Sequence, residues 1–238
     1  MQIINAILDI VFPTKCILCK KVGKDLCLAC LHCIPQTERE SLKWIFPIYD
    51  YRDTNIKKLL WFLKYKGKKR LAKVFAEIIY DKILEELSEL SIMENFRKPI
   101  LIPIPLSRKR YKERGYNQAE LICEEIIKLN NLRDSVDVNN IYSNTHFSHG
   151  VNMKLENNIL IKIKETEHQA LIKDRRTRLR NLSGSFAIEN QEKNKEKIKN
   201  KNIILIDDIT TTGATLNEAK KVLKQAGARK VIAFTVAH

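Results

Sequence analysis

Two adjacent carboxylates near the C-terminal end of the sequence have the surroundings of a sugar-phosphate site. Asp207 and Asp208 follow the apolar run at residues 203–206, which predicts a buried strand that ends in the acidic pair. Open α/β sheets bind ligands at the carboxyl ends of their strands, so we expect both carboxylates at that edge. There they would accept hydrogen bonds from the vicinal hydroxyls of a ribose or hold a Mg²⁺ ion, which makes them the candidate catalytic residues.

The loop after the acidic pair suits a phosphate group. Its small or hydroxyl-bearing residues are Thr211, Thr212, Gly213, Ala214 and Thr215. They precede a predicted helix at residues 216–225, whose first backbone N–H groups have no partner within the helix and can bind an anion. An Asp cap on an ordinary strand-turn-helix unit is the alternative explanation. The sequence has neither the Gly-Lys-Ser/Thr ending of a P-loop nor a G-x-G-x-x-G dinucleotide motif.

Four cysteines near the N-terminus form a candidate metal site. They make two Cys-x2-Cys pairs: Cys16, Cys19, Cys27 and Cys30. This spacing is typical of a structural Zn²⁺ site with four thiolate ligands, and the neighbouring His32 and Cys33 are expected not to bind the ion. A disulfide framework is the alternative, but the sequence shows no secretory signal, which favours a reducing, cytoplasmic location.

The elements that position these residues follow from the apolar pattern. Asp53 predicts the cap of a helix that ends at Gly67, and Asn117 predicts the cap of another helix at residues 118–129. The remaining predictions are a strand at residues 44–51, a helix at about 70–90, a strand at 100–104, a loop or local hairpin at 132–158 and an exposed connection between two strands of the sheet at 190–201. Strands that alternate with helices imply a parallel sheet. No apolar stretch is long enough to span a bilayer.

Residues 203–215 resemble the 5-phosphoribosyl-1-pyrophosphate (PRPP) motif of type I phosphoribosyltransferases. With the four cysteines ahead of it, the chain is similar to the ComF family, whose phosphoribosyltransferase-like proteins are associated with DNA uptake in transformable bacteria. Further agreement lies at residues 12–13, 63–67, 103–106 and 114–119 and in Gln169, Arg178, Asn181 and Phe186. The resemblance covers nearly the whole chain, although residues 132–158 are longer and richer in Asn than we expect for the family.

The resemblance implies an α/β fold: a type I phosphoribosyltransferase-like parallel sheet flanked by helices, with a small N-terminal zinc-binding module of four cysteines. We expect residues 1–40 to form an N-terminal helix and this module, and residues 41–238 to form the phosphoribosyltransferase-like domain. The resemblance further implies Mg²⁺-dependent binding of PRPP, a role in natural transformation or DNA uptake, and partners among DNA-uptake proteins such as a helicase.

Release of pyrophosphate from PRPP requires cations, since they stabilise the negative charge of the leaving pyrophosphate as the C1–O bond breaks and positive charge develops on the ribose. We expect a loop after the strand at 100–104 to bring Arg108 and Lys109 to the pyrophosphate. In the resembled fold a mobile segment also closes over the site, and residues 173–180 fit that role, with Arg178 as a phosphate ligand. A solvated basic face is the alternative for each of these cations.

A net charge of +15 exceeds what one small ligand requires. Single-stranded DNA would account for it, because Tyr65, Tyr111 and Tyr116 stand in or beside basic clusters, as in proteins that stack unpaired bases. The candidate DNA-binding cations are Lys64, Lys66, Lys68, Arg110, Arg114, Arg175 and Arg176. Solubility of a lysine-rich chain is the alternative.

Two functions from different classes are therefore open. One is an enzyme that transfers the phosphoribosyl group of PRPP to an acceptor. The other is a non-catalytic PRPP sensor or DNA-binding scaffold with the same fold. A base-recognition element would favour the enzyme, and the sequence marks out no aromatic residue or carboxylate for that purpose.

Overall fold

The structure is a computed structural model, and it describes residues 13–37, 42–135, 151–164 and 184–238. In chain order the elements in these residues are α1 (Leu28–His32), β1 (Ile45–Tyr49), α2 (Thr54–Tyr65), α3 (Leu71–Met93), β2 (Ile100–Pro103), α4 (Arg108–Arg114), α5 (Gln118–Ser135), β3 (Lys154–Leu155), β4 (Leu160–Lys162), β5 (Phe186–Ile188), α6 (Gln191–Ile198), β6 (Asn202–Ile209), α7 (Ala214–Gln225) and β7 (Lys230–Ala237). The predicted N-terminal helix and the predicted closing segment at residues 173–180 lie outside the described residues.

Strand β6 lies at the centre of a parallel sheet with the order β1-β7-β6-β2-β3. On one side Ile204 pairs with Leu101 of β2, and on the other it pairs with Ile232 of β7. Helices cover both faces of this sheet. The predicted fold class, a parallel sheet flanked by helices, is therefore confirmed.

The side chains of β6 alternate between two hydrophobic clusters. Ile204 and Ile206 pack with residues of α2, α3 and α5, whereas Ile203 and Leu205 pack with α7 and the β4–β5 pair. Successive residues of a strand point to opposite faces, so Asp207 continues the α7 side and Asp208 continues the α2 side. The acidic pair thus straddles the sheet at its carboxyl edge.

Helix α2 begins and ends as the sequence predicts. The Asp53 carboxylate accepts hydrogen bonds from the backbone N–H groups of Asn55 and Ile56, at 2.8 and 2.9 Å. Its buried residues are Ile56, Leu59, Leu60 and Leu63. Asn117 caps α5 in the same way, with Oδ1 accepting from the backbone N–H of Ala119 at 3.1 Å.

The prediction of a loop or hairpin at residues 132–158 is wrong at both described ends of that segment. Helix α5 continues to Ser135, and β3 is an edge strand that pairs in parallel with β2. One physical reason is the buried side chain of Asn130, whose Oδ1 accepts from the Tyr80 hydroxyl at 3.0 Å and from the Val151 backbone N–H at 2.8 Å. These bonds hold the last turns of α5 against α3 and against the chain just before β3.

The segment at residues 190–201 is mostly exposed and connects two strands, as predicted, but it is helical and the two strands belong to different sheets. This segment contains α6, in which Asn194 and Ile198 are buried. The Asn194 amide donates to the backbone carbonyl of Asn158 at 2.7 Å and also to that of Glu189. Strand β5 before the helix pairs antiparallel with β4 in a separate two-stranded sheet, so α6 joins two different sheets.

The N-terminal segment packs onto α2 and α3. Cys16, Ile17, Leu26 and Ile34 belong to the same hydrophobic cluster as the buried faces of those helices. The proposed division of the chain at residue 40 stays a prediction. Within the described residues, no helix is both long and apolar enough to cross a membrane.

Gly213, at the turn from β6 into α7, allows a test of how tightly this turn is packed. Gly213 and Gly115 share a left-handed backbone, with φ/ψ of 71°/3° and 75°/0°. A Cβ at Gly213 would lie 3.1 Å from Ile45 Cδ1, whereas a Cβ at Gly115 would meet nothing within 4 Å. We expect Gly115→Ala to lower the free energy of unfolding by about 1 kcal/mol through backbone conformation alone. Gly213→Ala should cost about 1 kcal/mol more, because the buried Ile45 must move.

Urea denaturation of the two variants and the wild type measures this difference. Equal losses in Gly115→Ala and Gly213→Ala would contradict the tight packing of the β6–α7 turn.

Candidate functional site

A cleft of about 310 Å³ opens at the carboxyl edge of the sheet. Its walls are formed by α2, the segment after β2, the end of β6 and the start of α7. Asp207 and Asp208 both line it, as the sequence predicts. The two carboxylates reach the cleft from opposite faces of β6.

Asp208 is anchored by a lysine of α2. Its Oδ2 lies 2.9 Å from Lys64 Nζ, and both side chains are largely buried. The sequence predicts that Lys64 binds DNA. In the structure Lys64 lies within the cleft, where its ammonium group neutralises the charge of Asp208.

Asp207 carries a proton more readily than an ordinary aspartate. Its pKa is raised to about 7, mainly by burial of the carboxyl group and secondly by repulsion from the charge of Asp208. The backbone N–H of Asp208, which donates to Asp207 Oδ1 at 2.8 Å, and the charges of Lys64 and Lys162 offset part of this rise. A cation bound between the two carboxylates would favour the ionised form and reverse the effect.

The phosphate loop has the predicted residues in the predicted place. Thr211, Thr212, Gly213, Ala214 and Thr215 all line the cleft. Helix α7 begins at Ala214, two residues earlier than the predicted start at 216. The N-cap residue Gly213 has no side chain to accept a hydrogen bond from the first N–H groups of α7, and this start of the helix lines the cleft, where a phosphate can approach the main chain closely.

The basic segment after β2 is a helix and not the predicted loop. Ser107 caps α4, with Oγ accepting from the backbone N–H of Arg110 at 3.4 Å, and Gly115 ends it in the left-handed conformation. Winding into a helix changes which cations reach the cleft: Arg110 and Arg114 line it, whereas Arg108 and Lys109 do not. The PRPP-binding role of Arg108 and Lys109 stays a prediction, and the predicted cations Arg175, Arg176 and Arg178 lie outside the described residues.

Two buried donors in the cleft lack hydrogen-bond partners among the residues that the structure describes. Arg114 donates to Gln118 Oε1 at 2.9 Å and to the Tyr65 hydroxyl at 3.2 Å. Within the part of the chain that the structure describes, Arg114 Nε and Gln118 Nε2 are buried without a hydrogen-bond acceptor. Gln118 is only 1% exposed, and leaving such donors unpaired costs about 1–3 kcal/mol each. A ligand rich in acceptor oxygens would remove that cost.

The α2 wall of the cleft contains residues that sequence reasoning missed. Lys57 and Trp61 line the cleft together with Tyr65. Their spacing of four residues places them on one face of the helix, a signal that is readable once Leu59, Leu60 and Leu63 are assigned to the buried face. Gln118 and Lys162 also line the cleft without having been predicted.

Tyr116 does not have the surface role that the sequence suggests. It is 8% exposed, and its hydroxyl donates to the backbone carbonyl of Leu63. It is therefore a core residue that ties the start of α5 to the end of α2. Tyr111 is 50% exposed on α4 and does not line the cleft.

The four predicted cysteines converge on one point. The sulfur atoms of Cys16, Cys19, Cys27 and Cys30 all lie within 4.8 Å of one another, and those of Cys19 and Cys27 are 3.6 Å apart. A tetrahedral Zn²⁺ site with bonds of ~2.3 Å places its sulfurs roughly 3.8 Å apart, so the donor set fits. Cys33 and His32 are not members of the cluster.

The thiols of this cluster have divergent acidities. Burial raises the pKa of Cys16, but the backbone N–H groups of Cys19, Cys27 and Leu18 outweigh it and lower the pKa to about 6. Hydrogen bonds from Cys30 to Cys27 and Cys19 raise its pKa to about 12. Four thiolates so close together repel one another, and a divalent cation at their centre would stabilise all of them.

Comparison with known proteins adds independent information. A family model described as the phosphoribosyl transferase domain matches residues 158–238. The chain is 32% identical to Competence protein F of Haemophilus influenzae over 55% of this chain and 46% of that protein. It is 30% identical to Competence protein ComFC of Bacillus subtilis over 79% of this chain and 62% of that protein. The chain thus spans about half of the length of the Haemophilus protein and less than two thirds of the length of the Bacillus protein.

A third relative is more distant but is covered more fully. The chain is 22% identical to the DNA utilization protein YhgH of Escherichia coli over 86% of this chain and 74% of that protein. Among solved structures, the hypoxanthine phosphoribosyltransferase of Trypanosoma cruzi matches with 10% identity and a TM-score of 0.39, over 70% of this chain and 64% of that one.

The raised pKa of Asp207 predicts a stability that depends on pH. At pH values between the ordinary aspartate pKa of 3.8 and the raised pKa of about 7, the Asp207 carboxyl group is more protonated in the folded protein than in the unfolded protein. The free energy of unfolding should therefore fall as the pH rises through that window, by at most roughly 4 kcal/mol. Asp207→Asn should flatten the decline, and Asp208→Asn should shift it to lower pH by removing the neighbouring charge.

Urea denaturation at a series of pH values measures this dependence, with Glu192→Gln on the exposed face of α6 as the charge control. A decline of the same size in Asp207→Asn as in the wild type would show that another group causes it.

Proposed function

We propose that this protein, which belongs to the ComF family of phosphoribosyltransferase-like proteins, binds PRPP together with Mg²⁺ in its cleft and acts in DNA uptake or in the handling of internalised DNA. The names of its curated relatives, two competence proteins and a DNA utilization protein, support the second half of the proposal. The chemistry of the cleft supports the first.

The observation that carries PRPP binding is the order of chemical groups along the cleft. The first N–H groups of α7 suit the 5-phosphate, and the acidic pair beside them suits the two ribose hydroxyls. On the α4–α5 side, Arg110, Arg114 and Gln118 offer donors that would suit the pyrophosphate, and two of these donors are buried without a partner in the described part of the chain. PRPP is a ligand whose phosphate, ribose and pyrophosphate oxygens occur in this order.

Asp207 and Asp208 would hold the Mg²⁺ ion, since hard oxygen donors beside a phosphate are its usual ligands. The ion would neutralise the pyrophosphate charge. To admit it, Lys64 must share or release Asp208, and the ammonium group is then free to turn toward the pyrophosphate oxygens. Arg114 is held by the Tyr65 hydroxyl and by Gln118, so its guanidinium group is already oriented before the ligand arrives.

Phosphoribosyl transfer is the enzymatic extension of this binding. The C1–O bond to pyrophosphate would break while a nucleophilic acceptor forms its bond to C1, with the cations of the cleft stabilising the leaving group. A non-catalytic sensor or scaffold would use the same contacts without an acceptor. PRPP binding is common to both functions and is therefore the property to test first.

The cysteine cluster is proposed to hold a structural zinc ion. The sulfurs of Cys16, Cys19, Cys27 and Cys30 would supply all four ligands of a tetrahedral ion and would leave no open coordination site for substrate or water. A segment of this length has little apolar surface of its own, so the ion would supply much of the free energy that folds it onto α2 and α3.

Calorimetric titration with PRPP tests the cleft directly. We expect binding in the presence of Mg²⁺ and little binding without it. The variant Asp207→Asn/Asp208→Asn should weaken binding by about 100-fold or more, because charge-assisted contacts to the ribose and to the ion are lost. The control variant Glu192→Gln/Glu196→Gln removes the same charge from exposed positions of α6 and should bind like the wild type.

Folded wild-type protein that fails to bind PRPP with Mg²⁺ present would refute this part of the proposal. Equal weakening in the α6 control would show that net charge, and not the acidic pair, governs the affinity.

Metal analysis and thermal unfolding test the cysteine cluster. Purified protein should contain one zinc ion per chain, and Cys16→Ser/Cys19→Ser should abolish it and lower the melting temperature by roughly 10 °C or more. Cys33→Ser removes an exposed thiol outside the cluster and should leave both the zinc content and the melting temperature unchanged. An unchanged melting temperature in the zinc-free double variant would rule out a role in stabilising the fold.

A further inference from the structure

The α2 wall of the cleft presents two large aromatic side chains that the core does not use. Trp61 is 45% exposed and Tyr65 is 50% exposed, although both line the cleft. They lie one helical turn apart, and their ring centroids are 6.5 Å apart at an angle of 47°. Contact of an aromatic ring with water is unfavourable, so a pair of half-exposed rings at the mouth of a cleft suits a planar ligand.

Cations hold these rings in place. Lys66 Nζ lies 4.9 Å from the centroid of Trp61, and the Arg114 guanidinium lies 5.0 Å from that of Tyr65. Phe62 packs edge-on against Trp61, with centroids 5.4 Å apart at 80°. Each ring is therefore oriented by its neighbours and flanked by positive charge before any ligand binds.

We propose that Trp61 and Tyr65 form a stacking platform for unpaired bases of a single-stranded DNA segment, at the mouth of the cleft. Base stacking explains the exposed rings, and the adjacent phosphates of the strand explain the cations beside them. A free base is neutral and would leave Lys66 unexplained. A duplex would hide the faces of its bases.

The position of the platform places DNA beside the acidic pair. Trp61 follows the buried Leu60 on α2, and Lys64 on the same helix contacts Asp208. A base stacked on the platform would thus lie in the same cleft as the ribose of PRPP. This consequence rests on the proposed function, whereas the stacking itself does not.

Tryptophan fluorescence can observe the platform directly. The chain has two tryptophans, so in a Trp44→Phe background Trp61 is the only one. A short oligothymidylate should quench its fluorescence through stacking. An abasic oligonucleotide with the same number of phosphates should bind roughly tenfold more weakly and cause no quenching. Thymidine at the same concentration of bases should have little effect.

Affinity measurements on matched variants complete the test. Trp61→Ala and Tyr65→Ala should each weaken oligothymidylate binding roughly tenfold, and Trp61→Phe should restore most of the loss. Tyr111→Ala is the matched control, since Tyr111 is as exposed as Tyr65 but lies outside the cleft. The PRPP affinity of Trp61→Ala should change less than about twofold, whereas its DNA affinity falls roughly tenfold.

Three results would overturn the platform: no quenching by the oligothymidylate, equal weakening in Tyr111→Ala, or quenching by thymidine at the concentration at which the oligomer acts. A parallel loss of PRPP affinity in Trp61→Ala would also overturn it, since the residue would then belong to the PRPP site or to the fold. If the wild type shows the quenching but does not bind PRPP, the proposed function fails and the platform stands.

Discussion

The position of β6 between two parallel neighbours determines where everything else in the molecule lies. A strand that is hydrogen-bonded on both sides and covered on both faces must be apolar along its length, and residues 203–206 satisfy that condition completely. The first carboxylates after this run therefore mark the edge of the sheet. Because adjacent residues point to opposite faces, Asp207 and Asp208 connect the α7 side and the α2 side of the molecule at one point.

Removing two carboxylates from water at that point costs free energy of desolvation, and the compensating interactions differ between the two faces of the sheet. On the α2 side Lys64 pairs with Asp208, which ties the helix to the strand. On the α7 side Asp207 has a local backbone donor and a raised pKa, and a cation bound beside it would favour release of its proton to solvent. A buried ion pair alone adds little to stability. The need to stabilise the fold therefore does not explain this arrangement, whereas the ligand binding proposed above would explain it.

Features encoded in contiguous residues were predictable, and features that depend on distant contacts were not. The strand, the acidic pair, the phosphate loop and the two cysteine pairs each lie within a few residues, and the caps Asp53 and Asn117 are local as well. Helix α4 was missed because its run of basic residues suggests a loop, although Ser107 and Gly115 at its two ends are recognisable start and stop signals. Strand β3 has only two residues, which is too few to show the alternation of apolar and polar residues that predicts a strand. The four-residue spacing of Trp61 and Tyr65 is readable in the sequence, but their place in the wall of the cleft depends on the contact between α2 and β6.

The basic segment at residues 64–70 illustrates why charge in a sequence is an incomplete guide to function. Three of its cations point to separate places: Lys64 contacts Asp208 in the cleft, Lys66 lies over Trp61, and Lys68 binds Asp25 of the cysteine-bearing segment at 3.2 Å. Arg70 continues toward that segment and donates to the Thr14 hydroxyl at 3.1 Å. The same few residues therefore join the acidic pair, the exposed rings and the segment that carries the cysteine cluster. If an ion orders the cysteine segment, the contacts of that segment with Lys68 and Arg70 would also hold the end of α2 in place. Loss of the ion would then disturb the position of Lys64 in the cleft.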